Sequence, residues 1–496
     1  MSTMDIVLPD EYKTELNKLH DQAATFEFRQ VKRVIESQLG RDVNEIFSEF
    51  EEAPIASASI AQVHRAKLRA EFAGGEDVAV AVKVQKPNIP AQNGCDLAVY
   101  KLVLMVLERA FDLPMVWTYA YTRQQLGQEL DFRVEAENAK RTSADLEACE
   151  QFRGKVFVPK VYEKCTAERV MVMEWVDSLG PASDSQALQK AGLKPTDVMR
   201  TATEVFGYQI FSTGHVHCDP HPGNLLVRLV PESDQKLIGQ KWQLVLLDHG
   251  LYCELNPTLR RDYADFWVAA ALGEMDATVR ICRSWGIVDH DAMELFASLT
   301  QFRRVRLGLR GFDAAASLFG NQPKKQKKPD LVPHMPQKLS AKALAEAQTK
   351  LKARVKQILG DTAAFPRELI FVARSLNMIR SANFALGSAV NRVAILAECA
   401  AAGAALNDGS LASRRVAVWN FHFRVQCLLL VSKLFQLWSR LDGLLEGART
   451  RAQEAPGWLW AISLGLAPAV LGLVPWRPRL VKHNDTFDPA GPHAGG

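Results

Sequence analysis

The sequence predicts an α+β protein of two lobes, a small one that carries strands and a larger one that is mainly helical. Three observations predict it. β-branched runs are confined to the stretch between residues 77 and 250. One long run with apolar residues at three- and four-residue spacing interrupts them, and from about 255 to 445 that spacing dominates. At 496 residues the chain also has room for two or three packed units.

Taken in order, residues 10–50 read as helices, through "DEYKTELNKLHDQA" and "TFEFRQVKRVIESQLG". "DVAVAVKVQKP" (77–87) is a β-branched run closed by a proline, hence a strand. "TRQQLGQELDFRVEAENAKRTSADLEA" predicts one long helix over 122–148, and "KVFVPKVYEK" and "ERVMVMEWVDS" predict two strands. A Gly/Pro-containing linker near 177–185 precedes a helix over 195–215. Then come "NLLVRLV", a polar loop "PESDQKLIGQ" and the strand "WQLVLLDHG". Proline and lysine crowd residues 320–338, which predicts a mobile loop inside the helical part. The expected units are therefore 1–50, 51–177, 178–445 and a tail, 446–496.

Composition narrows the function classes. A net charge of +4 is mildly basic and does not call for a nucleic-acid partner. The eight cysteines include no CxxC pair, so a zinc site or disulfide framework is not expected, and reduced thiols in a cytosolic or matrix-like compartment are. The start has neither an apolar h-region nor an arginine-rich presequence. Residues 457–476 hold no charge and are bracketed by Arg449, Arg451, Arg477 and Arg479, with Trp458, Trp460 and Trp476 near the ends. That pattern fits contact with a membrane surface or a span. Pro468 and the glycines fit equally a helix or loop packed on the helical lobe.

The densest polar chemistry is "HCDPHPGN", His217–Asn224, between a predicted helix and a strand. An aspartate followed five residues later by an asparagine suits phosphoryl transfer, Asp219 orienting the attacking hydroxyl or water and Asn224 binding magnesium. A second acid should follow at the end of the next hairpin, and "LLDHG" supplies Asp248, with Gly250 for the turn. Asn224 and Asp248 offer magnesium the hard oxygen ligands it needs. A lysine on an early strand should reach the α- and β-phosphates and pair with a helical acid. "VAVKV" supplies Lys83; the predicted helix supplies Glu129 and Glu135. An HxDxH metal cluster of His217, Asp219 and His221, or a merely structural turn, stands as the alternative.

Five ordered motifs, "PIASASIAQVHRAKL" (54–68), "VAVKVQKP", "QELDFRVEAENAKR" (128–141), "HCDPHPGNLLV" and "LLDHGLY", together resemble the UbiB family of aarF-domain atypical kinases, tied to coenzyme Q and mitochondrial lipid biology. The likeness runs from about residue 8 to about 390, and "RSLNMIRSANFALG" is similar to the mitochondrial branch outside the main coenzyme Q subgroup. The resemblance implies a protein-kinase-like fold that binds ATP or ADP with Mg2+. Catalytic roles would fall to Asp219, Lys83 and Asn224. It puts an alanine-rich loop, Ala56, Ser57, Ala58 and Ser59, where protein kinases have glycines, and Ser57 departs from the family's usual alanine. Glu129 and Asp131 match an ExD motif, Glu135 the partner of Lys83, and Glu174 and Val176 in "MEWV" a hinge that meets adenine. A helix N-cap at Ser57 or Ser59 is a compatible local reading. The family's KxGQ motif precedes the stretch matched by "LPDEY"; with Met1 so close to Leu8 it is not in this chain, and an internal start is expected. After "DHGLY" there is no APE and no evident phosphosite, so a peptide substrate is not expected. The resemblance implies a mitochondrial ATPase or a kinase of a small or lipidic molecule, with a lipid or membrane surface as a further partner. A nucleotide-gated pseudokinase scaffold is the alternative; an aminoglycoside- or choline-type kinase lacks the alanine-rich loop and ExD.

Overall fold

Two apolar stretches, Ala61–Leu68 and Val78–Gln85, pair antiparallel and form the centre of the small lobe. The computed structural model describes residues 25–58, 60–111, 116, 118–301, 365–405, 415–431 and 433–434. In chain order the strands of this sheet are β1 (Phe47–Phe50), β2 (Ala56–Ser57), β3 (Ala61–Leu68), β4 (Val78–Gln85) and, after β5 (Val156–Phe157), β6 (Val170–Glu174). They lie in the order β1-β3-β4-β6, with β2 on β3. β4 is covered on both faces. Val80, Val82 and Val84 pack with Val31, Val34 and Ile35 of α1 (Phe28–Leu39), so the alternate set that includes Lys83 points to the other side.

Two sequence expectations need correcting here. Residues 47–50 form a strand rather than helix, because Phe47 pairs with Leu68 and joins the α1 core. After α2 (Ile89–Phe111), the predicted single helix over 122–148 is two helices, α3 (Thr118–Glu129) and α4 (Phe132–Ala148). Asp131 takes an extended conformation and its carboxylate caps α4 by accepting from the Arg133 N–H. The break is pinned from the sheet: Gln85 donates to the Leu130 carbonyl at 2.9 Å, and Phe132 N–H donates to Glu168 O.

α4 joins the lobes. Phe132 and Ala136 pack beneath the sheet with Ala61 and Met171, whereas Ala139 and Leu146 belong to the core below. That core draws on β9 (Leu225–Leu229), β10 (Trp242–Leu246) and α5 (Pro195–Tyr208), and the strands are joined as β5-β10-β9-β7, where β7 is Gly180–Pro181. β8 (His215–His217) pairs separately with β11 (Tyr252–Glu254). The polar stretch expected as a loop contains a short helix, Glu232–Ile238, started by Pro231 and closed at Gly239. The helix over 195–215 ends in one wide turn, Gln209–Thr213.

The rest of the described large lobe is helical, as expected: α6 (Pro257–Leu272), α7 (Met275–Ser284), α8 (His290–Gln301), α9 (Glu368–Ala385), α10 (Arg392–Ala404) and a helix over 415–431. Its core is aromatic, with Phe211, Tyr263, Phe266 and Trp267 all fully buried. These elements fall in one unit ending at Ser432, and a second unit begins at Lys433. The expected first helix of residues 10–23, Ser59, the 320–338 loop and the 457–476 segment lie outside the described residues.

α5 and its terminal turn lie against α10 at small residues. A Cβ added at Gly403 would come within 2.7 Å of Phe211 Cβ and closer still to backbone, whereas Gly75 has open space. Gly403→Ala should therefore cost about 1–3 kcal/mol through overpacking. Gly75→Ala should be near neutral. Chemical denaturation of both variants checks the pair.

Candidate functional site

The site grows from one register. Ala56, Val63, Lys83 and Met171 lie opposite one another across β2, β3, β4 and β6. The alanine-rich stretch is therefore two strands from Lys83, roughly 10 Å away at normal strand spacing. Ser57 lies on β2, opposite Gln62 of β3. Ala58 is fixed from the sheet, its carbonyl accepting from Lys86 Nζ at 2.6 Å and its N–H donating to Ala61 O. Glu174 closes β6 opposite Val80, three residue pairs from Lys83, with Val176 just beyond. Trp175 N–H donates to Ala79 O, which holds that stretch to the start of β4.

Lys83 is buried and meets two acids. Its ammonium donates to Glu135 Oε1 and Oε2 at 2.8 and 2.9 Å and lies 3.3 Å from Asp248 Oδ2, above the Phe132 ring. Burial opposes the lysine charge, but Asp248 and Glu135 outweigh it and hold Lys83 above the ordinary lysine range. Burial pushes the Glu135 carboxyl up to about 7 against the pull of Lys83. Two short bonds to one ammonium favour the ionised pair. Burial also acts to raise Asp248, yet Lys83 and the Gly250 N–H prevail and bring it down to about 2. Asp248 sits at φ 52°, at the turn between β10 and β11. Its side chain keeps 45% of its surface open.

The loop 218–224 is strapped to that turn. Leu247 N–H donates to Asn224 O at 2.8 Å, while His217 Nε2–H donates to Leu247 O at 3.3 Å. Asp219 N–H donates to His217 Nδ1, and Asn224 Nδ2 donates to Asp219 O at 3.1 Å. Both ring nitrogens of His217 are thus engaged. Among the described residues no group of three or more His, Cys, Asp or Glu is arranged to hold a metal, so the HxDxH cluster does not form. Asn224 with its nitrogen committed, and Asp248 ionised, leave hard oxygen donors that fit magnesium together with phosphate oxygens.

Four contributors went unread in the sequence. Arg374 of α9 donates to Asp219 Oδ1 at 2.9 Å, and its neighbour Ser375 donates to His217 O at 3.0 Å. Both lie in "RSLNMIRSANFALG", which carries only family likeness until the fold brings α9 to the loop. Asn138 donates to His249 O, and Thr142 donates to the Tyr252 hydroxyl, which in turn serves His249 Nδ1 at 2.8 Å. Asn138 and Thr142 follow Glu135 by three and seven residues, so helical spacing alone puts them on its face. Glu129 ends α3 beside Gly250. Burial and then Asp248 raise its carboxyl, with Lys83 pulling the other way. Asp131, the other ExD acid, caps α4 and pairs with Arg133 instead.

The comparisons agree on family. The ABC1 atypical kinase-like domain matches residues 18–282, just over half of the chain. A Schizosaccharomyces pombe protein named as an ABC1 family protein is 34% identical, covering 79% of this chain and 66% of that protein. A Gallus gallus protein named AarF domain-containing protein kinase 1 is 30% identical, covering 78% of this chain and 67% of that one. A Dictyostelium discoideum protein, named a probable serine/threonine-protein kinase, is 30% identical and covered over 53% of its length. The chain spans about two thirds of the length of the first two. A chain from the Rv3197–erythromycin complex of Mycobacterium tuberculosis overlays at 22% identity and a TM-score of 0.41, covering 72% of this chain and 86% of that one.

Removing one partner of a buried ion pair typically costs about 3–5 kcal/mol. Lys83→Met should fall in that range, and adding Glu135→Gln should recover part of the loss. Additive losses in denaturant titrations of the four-member cycle would show that the two groups are not coupled.

His249 gives a pH signature. Burial pushes it from the ordinary 6.5 down to about 3. The unfolded chain then takes up its proton first, so this stabilisation is complete above 6.5 and is lost as pH falls toward 3. Glu135, whose carboxyl burial raises to about 7 against the pull of Lys83, is common to wild type and the His249→Gln variant. Subtracting the melting curve of His249→Gln isolates the His249 contribution. The stability gap between wild type and variant should narrow as pH falls from 7 to 4, and a constant gap would contradict it.

Proposed function

Because the chain belongs to the ABC1 atypical kinase-like family, we propose that it binds ATP or ADP with magnesium in the cleft around Lys83 and acts as an ATPase or as a kinase of a small or lipidic molecule. The observation that carries this reading is the meeting of Lys83, Glu135 and Asp248, with Asp219 and Asn224 strapped to Leu247 beside it. In this reading Glu135 holds the Lys83 ammonium in place for phosphate oxygens. Asn224 and Asp248 would hold magnesium, which neutralises charge building on the phosphates. Asp219 orients the attacking hydroxyl or water once Arg374 releases its carboxylate. The stretch 174–176 and residues Ala56–Ala58 would flank the nucleotide.

A peptide substrate fits poorly. Only residues 251–255 separate the DHG turn from Asn256, which caps α6, and most of them are spent pairing β11 with β8. The family likeness supports a mitochondrial setting, in lipid or coenzyme Q homeostasis, and a lipid or membrane surface as partner. One observation favours the second reading, a nucleotide-gated scaffold without transfer. Arg374 already occupies Asp219, the group that transfer would need.

Magnesium with ATP or ADP should raise the thermal midpoint, by about 2.7 kcal/mol of added stability at a hundredfold excess over Kd. Asp248→Asn should remove the magnesium-dependent part of that shift. An unchanged shift in the variant sinks the assignment. Phosphate release by the wild type above that of Asp219→Asn selects the enzyme over the scaffold.

A further inference from the structure

We propose that the outward face of the helix over 415–431 is a docking surface for an anionic lipid bilayer. One side of this helix is spoken for. Phe421 and Val425 are buried in the large-lobe core, with Leu428 and Leu429 packed beside them. On the other side Val416, Trp419, Phe423, Leu430 and Val431 are between 46% and 66% exposed, and Cys427 is exposed among them. At 3.6 residues per turn these positions share an arc of about 120°, roughly opposite Phe421 and Val425. The Trp419 and Phe423 rings stack at 5.5 Å, which makes a continuous aromatic surface. A soluble face seldom keeps so much contiguous apolar area without a use.

Charge decides the occupant. No acid occurs between Asp408 and Asp442, where Arg414, Arg415, Arg424, Lys433 and Arg440 supply the charge. By helical spacing Arg415 and Arg424 fall on opposite edges of the apolar arc. Arg415 makes one long contact with Glu150 at 3.9 Å, Arg424 pairs with Glu274, and His422 lies 3.8 Å from Glu398. A guanidinium has five donors, so one such pair leaves others for phosphate. An apolar face with tryptophan and phenylalanine, edged by arginines, suits insertion at the boundary of headgroups and acyl chains. A second copy of the chain would instead bring like charge against like. Phe421 and Val425 keep this helix on the large-lobe core, so the contact is with a bilayer surface. It deepens the membrane part of the proposed function and does not involve the nucleotide cleft.

The test uses the full chain with Cys95→Ser, leaving Cys427 as the exposed thiol of the described residues for an environment-sensitive fluorophore. Vesicles of phosphatidylcholine mixed with phosphatidylglycerol should shift the emission to the blue, and vesicles of phosphatidylcholine alone should do so far less. Trp419→Ser with Phe423→Ser should weaken vesicle binding by about tenfold or more. Both side chains are exposed, so the thermal midpoint should hold. Co-sedimentation with no change at Cys427 would mean that another segment binds the bilayer, and overturns the proposal. A blue shift that grows with protein concentration and needs no vesicles would assign the face to a second copy, and overturns it too. No vesicle binding at all does the same, while the nucleotide-induced thermal shift of that preparation reports separately on the cleft.

Discussion

A lysine ammonium buried under a sheet has to be met by carboxylates, and that requirement shapes this molecule. Lys83 comes from β4, Glu135 from α4, and Asp248 from the turn after β10. No two of these belong to the same local element. Bringing their charges within hydrogen-bonding distance fixes the sheet, the joining helix and the large-lobe hairpin relative to one another. The apolar contacts of α4 above and below then reinforce a placement that the charges make specific.

The polar chain behind the acids extends the same constraint. Thr142, Tyr252 and His249 run from α4 to the backbone at Leu246, and every hydrogen bond in it suits a neutral imidazole. A charged His249 would set two donors against Leu246 O and the tyrosine hydroxyl, which must then give up donating. Desolvation and geometry therefore favour the same protonation state. A buried network of this kind is satisfied only in one arrangement, and so it specifies the DHG turn more than it stabilises it.

How much of this was legible in the sequence follows from range. The strand lysine, the loop 217–224 and the DHG turn each occupy a few consecutive residues with distinctive chemistry, and the fold brings them together. The two-lobed α+β class was legible for the same reason, since periodicity is local. What escaped was decided by distant partners. Residues 47–50 carry no strong strand signal and become a strand because β3 offers an edge. The break before α4 depends on Gln85 from another strand, and Arg374 gains meaning only when α9 reaches the loop some 155 positions earlier in the chain.

That break has a geometric consequence. On an unbroken helix residues 129 and 135, six positions apart, would point about 120° away from each other. One acid would face Lys83 and the other would turn aside. Ending α3 at Glu129 and restarting at Phe132 lets both acids flank the same glycine, Gly250, from two helices. Glu135 is committed to its ammonium, whereas Glu129 ends a separate helix. The two acids beside Gly250 are thus placed by different helices, one closed on the lysine and the other with its carboxyl raised by burial and by Asp248.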